Sequence, residues 1–263
     1  MSIKNLILLF PILLFSQNTI ESKFELPNGF YRPYNDDYSK FLRSFPLKDN
    51  NIVYYHDGDI KPNYGLYAAV FDYKIGTKDL HQCADASIYL NSRFKFEENK
   101  LDEIAYSFTS GYLFKYKDYL KGIYPKPYQD SNGRWLVEEK QYNERENNFN
   151  TFFKYLEILW TWAGTSSIKN LDTYNIDAIN VMPGDILVQT GSPFGHSVSI
   201  VDVIKNDRGR IMIMLAQSFM PAQQQHILLN PETGNVWYEL FSSNQIITPE
   251  WKPFNYSDIR RFK

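Results

Sequence analysis

Residues 191–217 read Gly-Ser-Pro-Phe-Gly-His-Ser-Val-Ser-Ile-Val-Asp-Val-Ile-Lys-Asn-Asp-Arg-Gly-Arg-Ile-Met-Ile-Met-Leu-Ala-Gln. Two apolar runs, His196–Ile204 and Arg210–Gln217, flank Asn206-Asp207-Arg208-Gly209, which is the pattern of two antiparallel strands joined by a turn. The first strand opens on a histidine that directly follows a glycine-containing loop. With Asn206 opposite Gly209, His196 falls opposite Phe219, and Gln217 stands one diagonal step away on the same face. An amide oxygen there accepts from one imidazole nitrogen and holds the ring. A turn one residue longer would move Gln217 to the other face. Asp202 shares the face of His196 but lies about 20 Å along the strand, too far to orient the ring.

Further short strands surround this hairpin. Ile186–Thr190 follows the turn Pro183-Gly184-Asp185, and His226–Leu229 and Val236–Phe241 come after. Upstream, Ile52–Tyr55 and Leu66–Tyr73 read as strands. Asp79 is placed to cap a helix over Leu80–Glu97, with Cys83 in its first turn. Glu103–Tyr116 reads as a strand pair bent at Ser110-Gly111, and Pro125, Pro127 and Asn132-Gly133 mark a loop. Residues 147–162 form a helix with Phe149, Phe152, Phe153, Leu156, Leu159 and Trp160 on one face, closed by Ala163-Gly164-Thr165. The expected fold is α+β: one domain over 51–263, helices first and an antiparallel sheet after, with an insertion at about 100–175. Residues 17–50, broken by Pro27, Pro33 and Pro46, read as an irregular lead-in.

The start of the chain has one lysine and then an apolar run from Leu6 to Phe15, with cleavage expected near 16–22. This is the pattern of a secretory signal, and the run is short of the roughly 20 residues a bilayer span needs. Export is therefore expected, to the periplasm or the extracellular space, with no membrane span in the mature chain. The 28 basic and 30 acidic residues of the whole chain leave no basic field, which argues against nucleic acid as a partner. One cysteine permits no internal disulfide, so the fold rests on packing.

A thiol at a helix N-terminus is lowered in pKa by free backbone N–H groups and the positive dipole end, and so becomes a nucleophile. Gln82-Cys83-Ala84-Asp85-Ala86 has that form; the alternative is a small core residue on the buried side of the helix. Four histidines compete as its base. His81 points to another helical face than Cys83 and flanks the cleft, His56 sits in a turn, and His226 lies in an apolar strand as a core histidine would. His196 has the strongest context. No Gly-x-Ser-x-Gly elbow, phosphate-binding glycine loop, His-Glu-x-x-His or cysteine cluster is present, so no metal or other cofactor is expected.

A cysteine at a helix start, then Pro-Gly-Asp before a strand, Gly-His opening the next, and a polar residue ending the one after resemble the NlpC and CHAP amidases. Those are papain-like hydrolases that cut amide bonds of peptidoglycan. The stretches Asp79-Leu-His-Gln-Cys-Ala-Asp-Ala86, Trp162-Ala-Gly-Thr165, Gly195-His196 and Leu215-Ala-Gln-Ser-Phe-Met-Pro-Ala-Gln-Gln-Gln-His226 are similar to a secreted family known mainly from Bacteroidetes and filed as domain of unknown function 4846. The resemblance implies a papain-like fold and a cysteine peptidase or amidase of the cell envelope. Cys83, His196 and Gln217 would be its catalytic residues, and His81, Gln82, Asp85, Trp162, Gly195 and Ser218 its substrate contacts. The alternatives are a non-catalytic envelope module binding glycan or peptide on the same fold, and an acyltransferase using the same Cys and His.

Overall fold

The computed structural model describes residues 18–263; the apolar signal-like run lies outside them. Five helices matter here: α1 Ile20–Lys23, α2 Asp37–Ser44, α3 Cys83–Glu97, α4 Tyr116–Leu120 and α5 Phe149–Trp162. Thirteen strands run in chain order: β1 Phe30–Tyr31, β2 Tyr67–Val70, β3 Ala105–Ser107, β4 Leu113–Lys115, β5 Ile123–Gln129, β6 Trp135–Gln141, β7 Thr173–Asn175, β8 Ile186–Gln189, β9 His196–Asn206, β10 Ile211–Gln217, β11 His226–Leu228, β12 Trp237–Glu239 and β13 Ile259–Phe262. Nine of them form one antiparallel sheet in the order β2-β11-β10-β9-β8-β13-β7, with β1 added on β9 and β12 on β10. The class is mixed α+β, with a large antiparallel sheet and few helices. No helix among the described residues is long and apolar enough to cross a membrane.

One face of the sheet buries α3 and α5. Phe152, Tyr155, Leu156, Leu159 and Trp160 are the buried positions of α5, spaced at i, i+3, i+4, i+7 and i+8, a helical stripe. Tyr155 thus takes a core position, while Phe149 turns 44% exposed. Helix α3 is buried continuously from Cys83 to Ser92, because the sheet lies on one side of it and α5 on the other. Ser87 Oγ ties it to β9, 3.0 Å from Ser197 Oγ and 3.1 Å from Ser199 Oγ. The opposite face packs Leu187, Val198, Ile200, Ile213 and Leu215 under the C-terminal segment with Tyr238, Leu240, Ile246 and Phe254.

The hairpin departs from its expected register in two places that cancel. Lys205 pairs with Ile211 and Ile204 with Met212, so the turn is one residue longer than Asn206–Gly209 alone. Asn206 Oδ1 fills that wider turn by accepting from the amides of Arg208 and Arg210. Further on, Asp202 pairs with Met214 but Ile200 with Leu215, leaving Val201 unpaired as a β-bulge. The extra strand residue offsets the extra turn residue and returns Gln217 to the face of His196. The bulge also moves Asp202 off the face expected for it, toward α2. There it meets Arg32 Nε at 2.7 Å and Arg43 Nη1 at 4.0 Å.

Other elements differ from the sequence reading. Residues 17–50 are not an irregular lead-in: from Thr19 they form α1, β1 and α2, and Ile20 and Leu42 are buried in the main core. The stretch 100–175 has no separate core, since Phe108, Phe114 and Tyr155 join the cluster that holds α3. Pro125 and Pro127 do not mark a loop but stand in β5, paired with Glu139 and Val137 of β6. Two residues apart, they point the same way, so both missing N–H groups face the free edge of the ribbon. Ile52–Tyr55 contributes only isolated bridges, Tyr54 with Ile60 and Tyr55 with Gln223. Strand β13 enters between β8 and β7 and explains Pro183-Gly184-Asp185. Arg261 donates to both carboxylate oxygens of Asp185, at 2.6 and 2.9 Å. A Cβ on Gly184, at φ +96°, would lie 2.3 Å from the Tyr38 ring.

Candidate active site

Helix α3 begins at Cys83 with Gln82 as its N-cap, three residues later than Asp79 as cap would place it. Asp79 instead accepts at Oδ1 from the Ala222 amide, 2.6 Å, and from Gln82 Nε2, 3.0 Å. Asp85 closes the helix start, its Oδ2 accepting from Gln82 N at 3.0 Å, the return half of a capping box. Cys83 is therefore the first helical residue, where amides lack in-helix partners.

The thiol lies on the floor of a cleft of about 430 Å³. Gln82, Cys83, Ala84 and Asp85 line it together with Trp160, Thr161 and Ala163 to Ser166, and with Gly191, Pro193, Phe194 and Gly195 of the loop before β9. Cys83 is 5% exposed, and its Sγ is 4.0 Å from the carbonyl oxygen of Gly195. That loop is pressed close: a Cβ on Gly195 would lie 2.3 Å from Gln189 O and 2.4 Å from Thr165 Oγ1.

His196 follows at once, as the first residue of β9. Its Nε2 is 2.8 Å from Gln217 Oε1, and the ring packs against Phe219 and Trp251, each with centroids 4.9 Å apart. Gln217 Nε2 donates to Glu250 Oε2 at 3.0 Å, and Glu250 Oε1 accepts from Lys61 Nζ at 2.5 Å. This relay settles a proton. With its NH₂ committed to a carboxylate, Gln217 presents oxygen to the imidazole, so Nε2 carries the hydrogen and Nδ1 is the bare, basic nitrogen. Nδ1 is buried without a partner. No hydrogen bond joins it to the thiol: Ser197 and Ser199 turn toward α3, and His196 alternates with them.

The electrostatics correct the expectation of a lowered thiol. Burial pushes Cys83 up to about 11; the Asp85 charge adds to this, and the amides of Ser197, Ala84 and Cys83 only oppose it. Burial likewise takes His196 down to about 4, with the Lys61 charge contributing against the Gln217 hydrogen bond. Both groups are neutral at pH 7, a thiol and an imidazole rather than an ion pair.

The structure brings Gln82, Asp85 and Gly195 to the cleft with Cys83, and holds Gln217 on His196. His196, Gln217, His81, Ser218 and Trp162 do not line the cleft: the His196 ring lies on the sheet face away from α3, against Phe219, Trp251 and Phe254. His81 is fully buried, Nε2 on Tyr73 OH at 3.1 Å, because α3 starts after it and leaves its ring behind the helix. The Ser218 hydroxyl donates to the backbone oxygens of His81 and Gln223. Trp162 packs edge-on to Trp135 of β6. His226 is buried beside Tyr67, as a core histidine, and His56 stands near Thr77 O at 3.4 Å. Trp160, Phe194, Glu250 and Lys61 were not legible as site residues; only the fold places Glu250, 33 positions away in the chain, on Gln217.

The chain is a mixed α+β protein with a cysteine at a helix start lining a cleft and, outside that lining, a histidine held by an amide of the adjoining strand. A family model described as domain of unknown function (4846) matches residues 20–261, and the chain belongs to that family. It matches no curated protein and no solved structure.

Proposed function

We propose that this cleft is the substrate site of a cysteine amide hydrolase of papain-like arrangement, exported and acting on cell-wall or other extracellular peptides, in a closed resting form. The observation that supports it most is the orientation of Gln217: fixed by Glu250, it leaves His196 with a basic Nδ1 and nothing else to accept. The reaction requires an open form in which the start of β9 has turned the His196 ring from the sheet face away from α3 toward the thiol; there Nδ1 takes the Cys83 proton as sulfur bonds to the amide carbon. It then gives that proton to the departing amine, and water cleaves the thioester with the same ring as base. The Cys83 amide, free at the helix start, stabilises the oxyanion.

The closed form has a cost that the pKa values state. Burial holds Cys83 up to about 11 and His196 down to about 4, so while both stay buried the proton rests on sulfur and the imidazole is a weak base. Catalysis therefore needs water or substrate to enter, and the loop Gly191–Gly195 is the element that must move. It stands between the cleft and a second hollow lined by Glu250, Trp251 and Lys252.

A non-catalytic peptide- or glycan-binding module is the second reading, favoured by the 5% exposure and high pKa of Cys83. The two separate on labelling. A peptidyl chloromethyl ketone that occupies the cleft is expected to alkylate Cys83 at pH 7 far faster than a small chloromethyl ketone of equal intrinsic reactivity, and only when His196 is present. A ratio near one overturns the hydrolase reading and leaves the binding module.

Glu250 is a positioning residue in this scheme. Glu250→Ala frees the Gln217 amide to flip and is expected to lower kcat roughly 10- to 100-fold, the range seen when the outer partner that orients a metal-bound histidine is lost. KM should be unchanged and Glu250→Gln should recover part of the loss. Equal kcat in wild type and Glu250→Ala would remove the relay from the mechanism.

A further inference from the structure

The lining of the Cys83 cleft carries two carboxyl groups, Asp79 and Asp85, and no lysine or arginine. Two of its polar side-chain atoms are also unsatisfied. Asp85 spends Oδ2 on the helix cap, while Oδ1 is buried with no partner; Trp160, across the cleft, has a buried Nε1–H with no acceptor. Both residues are more than nine-tenths buried, at 5% and 4% exposure. A helix cap alone accounts for one carboxylate oxygen and leaves the other as an orphan, which a fold avoids unless something else fills it. An indole that offers only a donor and a carboxyl that offers an acceptor ask for a ligand with both a hydrogen-bond donor of positive charge and a neighbouring acceptor.

We infer that the cleft selects peptides bearing an ammonium group, which Asp85 receives at Oδ1 while the Trp160 indole donates to the adjoining peptide carbonyl. This rests on the cleft being the substrate site proposed above. The arrangement also has a consequence for the thiol. Burial pushes the empty-cleft Asp85 carboxyl well above the usual carboxylate range; a bound ammonium draws it back toward the ionised form and offsets the charge that would otherwise disfavour a thiolate at Cys83. An ammonium from a peptide N-terminus and one from a basic side chain share this chemistry.

Calorimetric titration of Cys83→Ala protein, which binds without turnover, separates these sources and keeps the inference apart from catalysis. The probes are Ala-Ala-Ala-amide against its N-acetyl form, and acetyl-Ala-Lys-Ala-amide against its norleucine counterpart. At least one cationic member is expected to bind about tenfold more tightly than its neutral partner, and Asp85→Asn, which retains a capping side chain, is expected to bring that ratio close to one. Equal binding within both pairs, or a preference that survives Asp85→Asn, overturns the inference. The two peptide pairs titrated into Cys83→Ala protein with Asp85 intact decide it even if Asp85→Asn fails to fold. A cationic preference in protein that cleaves none of these peptides when Cys83 is restored supports the inference and counts against the hydrolase reading alone.

Discussion

Cys83→Ala and His196→Gln are each expected to lower amide turnover by a factor of about 10³ or more, the scale on which nucleophile and base losses register in triad enzymes. Both replacements are chosen for the packing around them. Alanine removes only the sulfur from a site next to Ala84 and Ala86, where small side chains already stand. Glutamine keeps a polar group beside Gln217 where alanine would orphan Gln217 Oε1 and add a folding penalty of about 1–3 kcal/mol. Turnover with a model peptide amide, read beside the urea midpoint of each variant, distinguishes loss of chemistry from loss of structure. The double variant is expected to be no worse than either single one, because thiol and imidazole act as a unit. Full activity in either single variant would end the mechanism.

The largest expected effect on stability lies elsewhere, at Asp202. Its side chain is fully buried and takes Arg32 at 2.7 Å and Arg43 at 4.0 Å, themselves only 14% and 4% exposed. Arg43 also donates to Tyr34 O at 2.9 Å, so α2 and the chain leading to it from β1 are tied to β9 by this carboxylate, next to the direct pairing of β1 with β9. Burial raises the Asp202 pKa while the Arg32 and Arg43 charges draw it back. Asp202→Ala leaves two guanidinium groups facing a buried void, and a loss of about 3–5 kcal/mol is expected, the cost of breaking a buried pair from one side. Chemical denaturation at pH 7 measures it. A loss within 1 kcal/mol, the worth of an exposed pair, would show that water reaches the site.

What the residues disclosed in advance follows from how local each signal is. Helix α5, the hairpin of β9 and β10, and the placement of Cys83 at a helix start depend on periodicity and turn residues within a dozen positions, and these were legible. The pairing of His196 with Gln217 was legible for a reason only half understood from the sequence, since the turn was read one residue short and the bulge at Val201 made up the difference. Bulges leave no composition signal, as Ile-Val-Asp reads as plain strand. Strand β13 is four residues with two arginines, too short and too polar to stand out until β8 and β7 are seen to flank it. The lead-in looked irregular because three prolines break it, yet Ile20 and Leu42 bury as deeply as any sheet residue. His81 and Ser218 neighbour site residues in the chain and were expected at the cleft, but neighbours in a helix start or strand point in different directions. The state of the thiol is not legible locally, because a helix terminus is a local feature, whereas the burial that outweighs it is set by the whole fold.

The compensated hairpin has an evolutionary consequence. His196 and Gln217 meet because the surplus residue in the turn and the surplus residue at Val201 cancel, so it is parity that links them rather than the identity of any residue between. A lineage that loses one residue from the Asn206–Arg210 turn must shed or shift the bulge as well, or its glutamine will face α3 instead of the imidazole. Among relatives, single-residue gaps in this hairpin should therefore travel in pairs, and a relative with an unpaired gap would be one in which the histidine has lost its orienting amide.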